Sequence, residues 1–199
     1  MKIRIAIFAS GSGTNAENLV RYFTNHPLAE VTLVVCNKEG AFVLQRASKL
    51  GIESLLIGKD QWNDPEILIH DLKTREIGLI VLAGFLWLIP EKLIDAYPDR
   101  IINIHPALLP KYGGKGMYGD KVHETVKQNK ETETGITIHY VNKFYDEGGI
   151  IIQKSTGIDP ENHSVEEIAK KVHSLEYEWY PRVVENVVKN ILHSGNEDL

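Results

Sequence analysis

The chain has 199 residues, of which 43% are apolar and 25% are charged, a composition typical of a globular protein with a substantial core. We predict a single domain over residues 1–199. The net charge of -5 argues against a nucleic-acid partner, because phosphate backbones attract cationic surfaces. No run of about eighteen apolar residues occurs, so no membrane partner is expected. The amino terminus lacks a signal-peptide pattern and the single Cys36 lies in an apolar run, which predicts a cytoplasmic location.

The first apolar run, residues 3–9, leads into a glycine-rich loop and then into a helical pattern. Strand, glycine loop and helix together aim backbone N–H groups at an anion, so Gly13, Thr14 and Asn15 are candidates for binding a phosphate. The loop also matches the loose dinucleotide pattern G-x-G-x-x-G/A, but the second strand lacks the acidic residue that this pattern requires at its end. A Walker loop is excluded, since no lysine follows the second glycine. An ordinary tight turn is the remaining alternative.

Strand and helix patterns then alternate along the chain. Strands are predicted at residues 31–36, 53–57 and 78–84, and helices at residues 40–50 and 62–77. Residues 136–141 alternate with period two, and a polar turn at residues 146–149 separates them from the apolar residues 150–152. We therefore predict an α/β fold, a Rossmann-like, mostly parallel twisted sheet with helices on both faces and antiparallel strands in the C-terminal part.

Two polar side chains interrupt the apolar strand that begins near residue 101. Asn103 and His105 are two residues apart, so both point to the same face near the end of this strand. A carboxamide beside an imidazole that titrates near neutrality suits a reaction that builds negative charge on a carbonyl oxygen. The alternative is an Asn and a His whose hydrogen bonds are satisfied within a polar strand end.

Three other segments are expected at the same edge of the sheet, where ligands bind in open α/β folds. Residues 85–89 follow a glycine and are either core or the wall of a pocket for a flat aromatic ligand. Residues 112–120 contain four glycines and are predicted to form a mobile loop near the site. The carboxylates of Asp146 and Glu147 lie in a turn, where acids are common for structural reasons alone.

The last helical pattern begins at Ser164 with a capping box that Glu167 completes. Pro181 is expected to kink or interrupt this helix after Tyr180. The predicted buried stripe consists of Val165, Ile168, Val172, Leu175 and Trp179. A second, polar stripe of His173, Glu176 and Tyr180 faces either the cleft or the solvent.

Four motifs, taken in order, resemble the folate-dependent formyltransferases: residues 10–15, residues 82–85, Asn-Ile-His-Pro-x-Leu-Leu-Pro at 103–110, and Asp-Glu-Gly-Gly at 146–149. The resemblance extends to about residue 189. The length leaves no room for the additional C-terminal domain of methionyl-tRNA formyltransferases or the additional N-terminal domain of formyltetrahydrofolate hydrolases. The resemblance therefore implies transfer of the formyl group of 10-formyltetrahydrofolate, a co-substrate, to the amine of glycinamide ribonucleotide, a step of purine synthesis.

The resemblance also implies roles for individual residues. Asn103, His105 and Asp146 would form the catalytic set, and an ionised Asp146 would raise the pKa of His105 and favour imidazolium. The substrate phosphate would be held by Gly13, Thr14 and Asn15, and its ribose and glycinamide region by His173, Ser174, Leu175 and Glu176. The folate pocket would be lined by Leu86, Trp87, Leu88, Ile89, Asn103, Asn142, Lys143, Phe144, Tyr145 and Asp146.

Two other functions remain open from the sequence. One is formyl transfer to a different acceptor, or hydrolysis of the folate to formate; the other is a nucleotide-binding, dehydrogenase-like module built on the glycine loop. The eight histidines and the lone Cys36 show no metal-ligand spacing, so no metal is expected. The expected partners are small molecules, glycinamide ribonucleotide and folate, bound by a monomer or weak homodimer.

Overall fold

A computed structural model describes residues 2–197 and shows a seven-stranded sheet in the order β3-β2-β1-β4-β5-β6-β7. The strands are β1 (Ile3–Ala9), β2 (Ala29–Cys36), β3 (Glu53–Leu56), β4 (Ile77–Leu82), β5 (Ile101–His105), β6 (Glu133–Tyr140) and β7 (Ile150–Gly157). The first five strands run parallel, β6 pairs antiparallel with β5, and β7 pairs antiparallel with β6. The predicted fold class is confirmed.

Helices cover both faces of the sheet because successive side chains of the central strands point to opposite sides. In β1, Ile5 and Ile7 enter one apolar cluster and Ala6 and Phe8 enter the other. The helices are α1 (Thr14–Phe23), α2 (Phe42–Lys49), α3 (Lys59–Asn63), α4 (Glu66–Thr74), α5 (Glu91–Ala96), α6 (Asp120–Gln128) and α7 (Val165–Glu197). The first cluster contains residues of α1, α2 and α7, and the second contains residues of α3, α4 and α5. Within residues 2–197, no helix has the length and apolar character needed to cross a bilayer.

The strand order reverses between β1 and β4, and the segments that leave these two strands diverge there. The loop after β1 is bonded to the loop after β4: the Ser10 N–H donates to the Gly84 carbonyl at 3.0 Å, and the Leu86 N–H donates to the Ser10 hydroxyl at 3.0 Å. Asn103 and His105 lie at the end of β5, the next strand along. The carboxyl edge at this reversal point therefore brings together the predicted site segments.

Two stretches of the chain form helices with bounds that the sequence did not predict. The single helix predicted at residues 62–77 is wrong: the chain forms α3, breaks at residues 64 and 65, and continues as α4, after which β4 already begins at Ile77. Pro65 is the N-cap of α4, where its missing N–H leaves no helical hydrogen bond unmade. The short helix α5, which follows Pro90, was not predicted because its six residues are too few to show a period.

The buried face of α7 differs from the predicted stripe. Ile168 and Val172 are buried as predicted, whereas Val165, Leu175 and Trp179 are only half-buried. The buried positions instead advance by four residues and include Glu176 and Tyr180. The polar hydroxyl of Tyr180 can be buried because it has a partner: it donates a hydrogen bond to the Leu82 carbonyl at 2.7 Å. The capping box is confirmed by reciprocal bonds between Ser164 and Glu167.

Of the kink or interruption predicted at Pro181, the interruption is wrong, since α7 continues through this residue to Glu197. A proline has no N–H, so the Tyr177 carbonyl, four residues earlier, lacks its usual helical donor. The side-chain amide of Asn18 on α1 donates to this carbonyl at 3.0 Å. A side chain from another helix thus replaces the missing backbone donor and also joins α1 to α7.

We expect Asn18→Ala to lower the free energy of unfolding by about 1 kcal/mol, the typical value of one hydrogen bond. In a Pro181→Ala background the restored N–H bonds the Tyr177 carbonyl, so the same Asn18 substitution should have almost no effect. Urea unfolding of the four proteins in this double-mutant cycle measures the difference. An equal loss in both backgrounds would contradict the proposed replacement.

Candidate active site

Asp146 lies between Asn103 and His105, although it is 43 residues from the first of them in the chain. One carboxylate oxygen, Oδ2, is 3.6 Å from the His105 Nδ1 atom, and the other, Oδ1, is 3.5 Å from the Asn103 Nδ2 atom. Asp146 has a φ of +57°, in the left-handed region. Non-glycine residues in this region are uncommon and cluster at functional sites. The three predicted catalytic side chains are therefore neighbours in the fold.

A second histidine, His139 on β6, joins this group and was not predicted. It pairs with Asn103 across the antiparallel strands, and its Nε2 atom is 3.0 Å from the Asn103 amide nitrogen and 3.7 Å from Asp146 Oδ1. Its Nδ1 atom is 2.8 Å from the Tyr140 carbonyl, so Nδ1 carries the proton and Nε2 accepts from the amide. The period-two pattern of β6 indicated which face His139 occupies, but no sequence pattern specifies the register that sets it opposite Asn103.

The loop at residues 112–120, which is distinct from the glycine loop before α1, contributes backbone groups to the site. The Tyr112 carbonyl accepts a hydrogen bond from His105 Nε2 at 2.7 Å, and the Gly114 N–H donates to Asp146 Oδ2 at 2.8 Å. A Cβ atom at Gly113 would lie 2.6 Å from the Leu109 side chain and 3.3 Å from the Asp146 side chain. A larger residue at this position would therefore require the Leu109 and Asp146 side chains to shift.

The pKa values of the two central titratable groups, His105 and Asp146, both lie below their ordinary values. Burial lowers the pKa of His105, which is 4% exposed, and this effect outweighs the opposite influence of the Asp146 charge. For Asp146, burial raises the pKa, but the polar groups around the carboxylate, including the Gly114 N–H that donates to it, bring the pKa below its ordinary value. The expectation that Asp146 raises the pKa of His105 enough to favour imidazolium is therefore wrong. Because Nε2 donates to Tyr112, the free lone pair of the neutral ring is on Nδ1.

The predicted phosphate cradle lies at the start of α1. Gly13 is the N-cap residue, with a φ of +76° and no side chain capping the helix, so the N–H groups of the first turn remain available to an anion. An added Cβ at Gly13 would lie 2.5 Å from the Val43 side chain of α2. Arg46 of α2 donates to the Ser12 carbonyl and pairs with Glu17, which holds a cation beside the loop. The loop is thus closely packed against α2.

Asn15 and Glu176 meet although they are 161 residues apart. The Asn15 amide nitrogen donates to Glu176 Oε2 at 2.9 Å, while the Asn15 Oδ1 atom is buried with no partner among residues 2–197. Burial raises the pKa of Glu176, which is only 6% exposed. Buried acceptors with unused capacity suit a ligand that carries hydroxyl or amine donors. This pair therefore extends the cradle toward α7.

The neighbours of Glu176 have different surroundings. His173 is exposed; its ring centroid lies 6.2 Å from that of Tyr177 and 6.3 Å from that of His123, which is on α6. The Ser174 hydroxyl donates to the Lys170 carbonyl of its own helix, and Leu175 packs partly against the core. Of the four predicted residues on α7, the structure brings only Glu176 into a hydrogen bond with the first turn of α1.

His123 is 1% exposed, and burial is the main cause that lowers its pKa to about 4, with the adjacent His173 acting in the same direction. The unfolded chain therefore binds a proton between the ordinary pKa of 6.5 and about 4, where the folded chain does not. Stability due to a neutral His123 is complete above pH 6.5 and is lost as the pH falls toward 4, by about 3 kcal/mol in total.

We expect His123→Leu to remove this part of the acid sensitivity. The measurement is urea unfolding at a series of pH values from 7 down to about 4. The matched control is His70→Leu, at an exposed position on α4, which should keep the slope of the unmodified chain. An unchanged slope in His123→Leu would show that His123 is not buried in its neutral form.

The first predicted folate segment has both exposed and packed side chains. Leu86 and Leu88 are 43% and 40% exposed, whereas Ile89 is buried and Trp87 packs in an aromatic group with Phe85. The backbone of this segment is held by a hydrogen bond from α3: the Trp62 indole N–H donates to the Leu88 carbonyl at 2.9 Å. Leu86 and Leu88 thus expose apolar surface at the carboxyl edge of the sheet, where a flat ligand could pack against them.

The second predicted folate segment, residues 142–146, runs from the end of β6 to Asp146. The Asn142 side chain accepts a hydrogen bond from the Phe144 N–H at 3.0 Å, and the Phe144 ring is 53% exposed with the Lys143 ammonium 5.6 Å from its centroid. Tyr145 is half-buried. Val141, just before the segment, packs into the same cluster as Phe85 and Trp87. The two segments therefore border one region, with Asp146 at its inner end.

Taken together, the site offers an amide donor, a neutral imidazole and an ionised carboxylate beside an anion cradle and exposed apolar side chains. Such groups can stabilise an oxyanion and move a proton during attack on a carbonyl carbon. Among the described residues, no group of three or more His, Cys, Asp or Glu side chains is arranged to hold a metal ion. The end of β2 has no acidic residue, which disfavours the dinucleotide alternative.

Comparison with known proteins agrees with this geometry. A family model described as formyl transferase matches residues 3–184. The chain is 37% identical over 190 residues to a phosphoribosylglycinamide formyltransferase of Bacillus subtilis, covering 93% of this chain and 94% of the relative. Solved structures of enzymes named phosphoribosylglycinamide formyltransferase from Bacillus halodurans and glycinamide ribonucleotide transformylase 1 from Geobacillus kaustophilus are each 34% identical, with TM-scores of 0.81 and 0.84. The matches cover 94% of this chain and 95% and 100% of those chains.

Proposed function

This chain belongs to the formyl transferase family, and from that premise we propose that it transfers the formyl group of 10-formyltetrahydrofolate to the amine of 5′-phosphoribosylglycinamide. The products are the formylated ribonucleotide and tetrahydrofolate, and the reaction is a step of purine synthesis. The observation that carries the proposal is the meeting of Asn103, His105 and Asp146, at 3.5 and 3.6 Å, at the same sheet edge as a helix N-terminus that can hold a phosphate.

The reaction begins with attack of the substrate amine on the formyl carbon, which places negative charge on the formyl oxygen. The Asn103 amide has one N–H bonded to His139 at 3.0 Å and another only 3.5 Å from Asp146. A distance of 3.5 Å is at the limit for a hydrogen bond, so this second N–H is the one available to an oxyanion placed beside it. In this role, His139 orients the amide and does not itself touch the reacting atoms.

The proton of the attacking amine must then reach the folate nitrogen that leaves. The lone pair on His105 Nδ1 accepts this proton, and the Asp146 carboxylate, 3.6 Å away, stabilises the imidazolium that forms. The imidazolium then protonates the folate N10 as the C–N bond breaks, which returns the ring to its neutral form. Burial favours the neutral ring at the start and end of this cycle, while Asp146 limits the free energy of the charged intermediate.

The remaining predicted residues act in binding. We assign the phosphate to Gly13, Thr14 and Asn15, and ribose hydroxyls to the Asn15–Glu176 pair, whose buried oxygens accept hydrogen bonds. Leu86, Leu88 and Phe144 would contact the flat folate ring, because they are exposed apolar side chains at the same edge. The folate pocket would be shaped by Trp87, Ile89, Asn142, Lys143 and Tyr145. The ribonucleotide would be bordered by His173, Ser174 and Leu175.

We also propose that the enzyme acts in the cytoplasm, where its single, buried Cys36 stays reduced, and that it is a monomer or weak homodimer. The oligomeric state is measured by sedimentation at several protein concentrations. A stable larger assembly across the whole concentration range would contradict this part of the proposal.

The activity is tested by incubating the purified protein with 10-formyltetrahydrofolate and phosphoribosylglycinamide and weighing the ribonucleotide by mass spectrometry. We expect a product heavier by one formyl group in place of one hydrogen, formed in step with tetrahydrofolate. Parallel reactions without the ribonucleotide, or with an amino sugar nucleotide in its place, separate the alternatives. Formate release without the ribonucleotide, or formylation of the amino sugar alone, would overturn the proposal.

A further inference from the structure

A cavity of about 690 Å³ opens at the amino edge of the sheet, opposite the edge that carries the site described above. Its walls come from the starts of β1 and β4, the end of α5 and the C-terminal part of α7. Its apolar lining consists of Ile3, Ile77, Ala96, Pro98, Ile191 and Leu192. Its volume lies within the usual range of small-molecule sites, about 300–1,000 Å³. The proposed formyl transfer makes no use of this region.

The charges around the cavity are unusual for this chain. Its lining includes the cationic side chains of Lys2, Arg4, Lys73 and Arg100, and one acidic side chain, Glu76. Arg4 is paired with Glu30 and Glu76 at 3.7 and 3.5 Å. Lys2, Lys73 and Arg100 form no ion pair with any side chain that the structure describes, those of residues 2–194. A local excess of positive charge thus lies on a chain whose net charge is -5.

A buried polar group without a partner lies in the same wall. Tyr97 is 5% exposed, and its hydroxyl has no hydrogen-bond partner within the described residues. Burial without a partner costs free energy, and a native protein retains few such groups. A ligand oxygen that reached this hydroxyl would supply the missing partner. The cavity therefore combines unpaired cations, an unsatisfied hydroxyl and an apolar wall.

We propose that this cavity is a second small-molecule site, which binds a phosphate monoester carrying an apolar ring, such as a nucleoside monophosphate. Lys2, Lys73 and Arg100 bind the phosphate, the Tyr97 hydroxyl bonds one of its oxygens, and the ring packs on Ile77 and Ala96. Three unpaired cations match a phosphate dianion better than a single carboxylate. The apolar wall explains why inorganic phosphate alone would be a poorer ligand.

The test is equilibrium dialysis of labelled adenosine 5′-monophosphate with the full chain, in saturating phosphoribosylglycinamide to occupy the glycine-loop cradle. We expect saturable binding that Lys73→Gln/Arg100→Gln weakens by at least about tenfold, since charge-assisted bonds are lost. The matched control, Lys49→Gln/Lys59→Gln, removes two exposed cations elsewhere and should leave the affinity unchanged. Absence of saturable binding at millimolar nucleotide, or equal affinity in both double variants, overturns the proposal.

Tyr97→Phe separates a ligand contact from a structural role. Removing an unsatisfied hydroxyl should leave the melting temperature of the free protein unchanged or raised, while nucleotide affinity falls several-fold. Ribose 5-phosphate and inorganic phosphate, used as unlabelled competitors, should compete more weakly than the nucleotide if the ring contributes. A lower melting temperature with unchanged affinity would show that the hydroxyl is structural and would overturn its assignment as a contact. Formyl-transfer rates of all these variants should equal that of the unmodified chain.

Discussion

Replacing Asp146 by asparagine is expected to lower kcat by about 10³-fold, with KM for both substrates changed only a few-fold. The amide has nearly the same shape as the carboxylate, so the fold and the binding surfaces are kept. It has no charge to stabilise an imidazolium at His105, and it can turn an N–H toward a ring nitrogen that must accept a proton. Steady-state rates of tetrahydrofolate formation measure both constants.

The same variant should also shift the pH dependence of the rate. The Asp146 charge raises the pKa of His105 against the larger effect of burial, so removing this charge lowers the pKa further. The acidic limb of the rate profile, where His105 becomes protonated, should therefore move to lower pH. Glu147→Gln, at the exposed next residue, is the matched control and should keep both rate and profile. Full activity in Asp146→Asn would refute the assigned mechanism even if the product were as proposed.

Gly13→Ala is expected to weaken binding of the ribonucleotide by at least about 100-fold and to destabilise the protein by about 3 kcal/mol. Two causes add. A side chain at a φ of +76° costs about 1–2 kcal/mol, and the new Cβ would lie 2.5 Å from Val43. Relief of this contact requires α1 and α2 to separate, which shifts the first-turn N–H groups that hold the phosphate. Calorimetric titration with the ribonucleotide and urea unfolding measure the two effects.

Gly40→Ala serves as the control for the backbone cause alone. Gly40 has a φ of +72°, close to that of Gly13, but nothing lies within 4 Å of the position that an added Cβ would occupy. It should therefore show the backbone strain without the contact and without loss of affinity. If both variants destabilised the protein equally and bound the ribonucleotide normally, close packing of the cradle against Val43 would be irrelevant to function.

The repeating part of the fold was predictable because it depends on local patterns. Continuous apolar runs such as residues 78–82 indicated strands buried on both faces, and their alternation with helices indicated a covered parallel sheet. Errors occurred where a boundary depends on few residues. Pro65 was consistent with one helix or two, and the six residues of α5 carried no detectable period. In α7, Glu176 and Tyr180 are buried because distant partners satisfy them, which no local pattern reveals.

The candidate site divides in the same way. The sequence by itself determined the types of reactive group, an amide and an imidazole two residues apart on one strand, a glycine loop before a helix, and an acidic turn, because each is a local motif. Only the tertiary structure decided that Asp146 reaches both side chains, that His139 supports Asn103, and that Asn15 meets Glu176. It also decided that the pKa of His105 is lowered and not raised, because a pKa depends on burial as well as on the nearest charge. Contacts between residues far apart in the chain depend on strand order and register, and these follow from packing of the whole sheet.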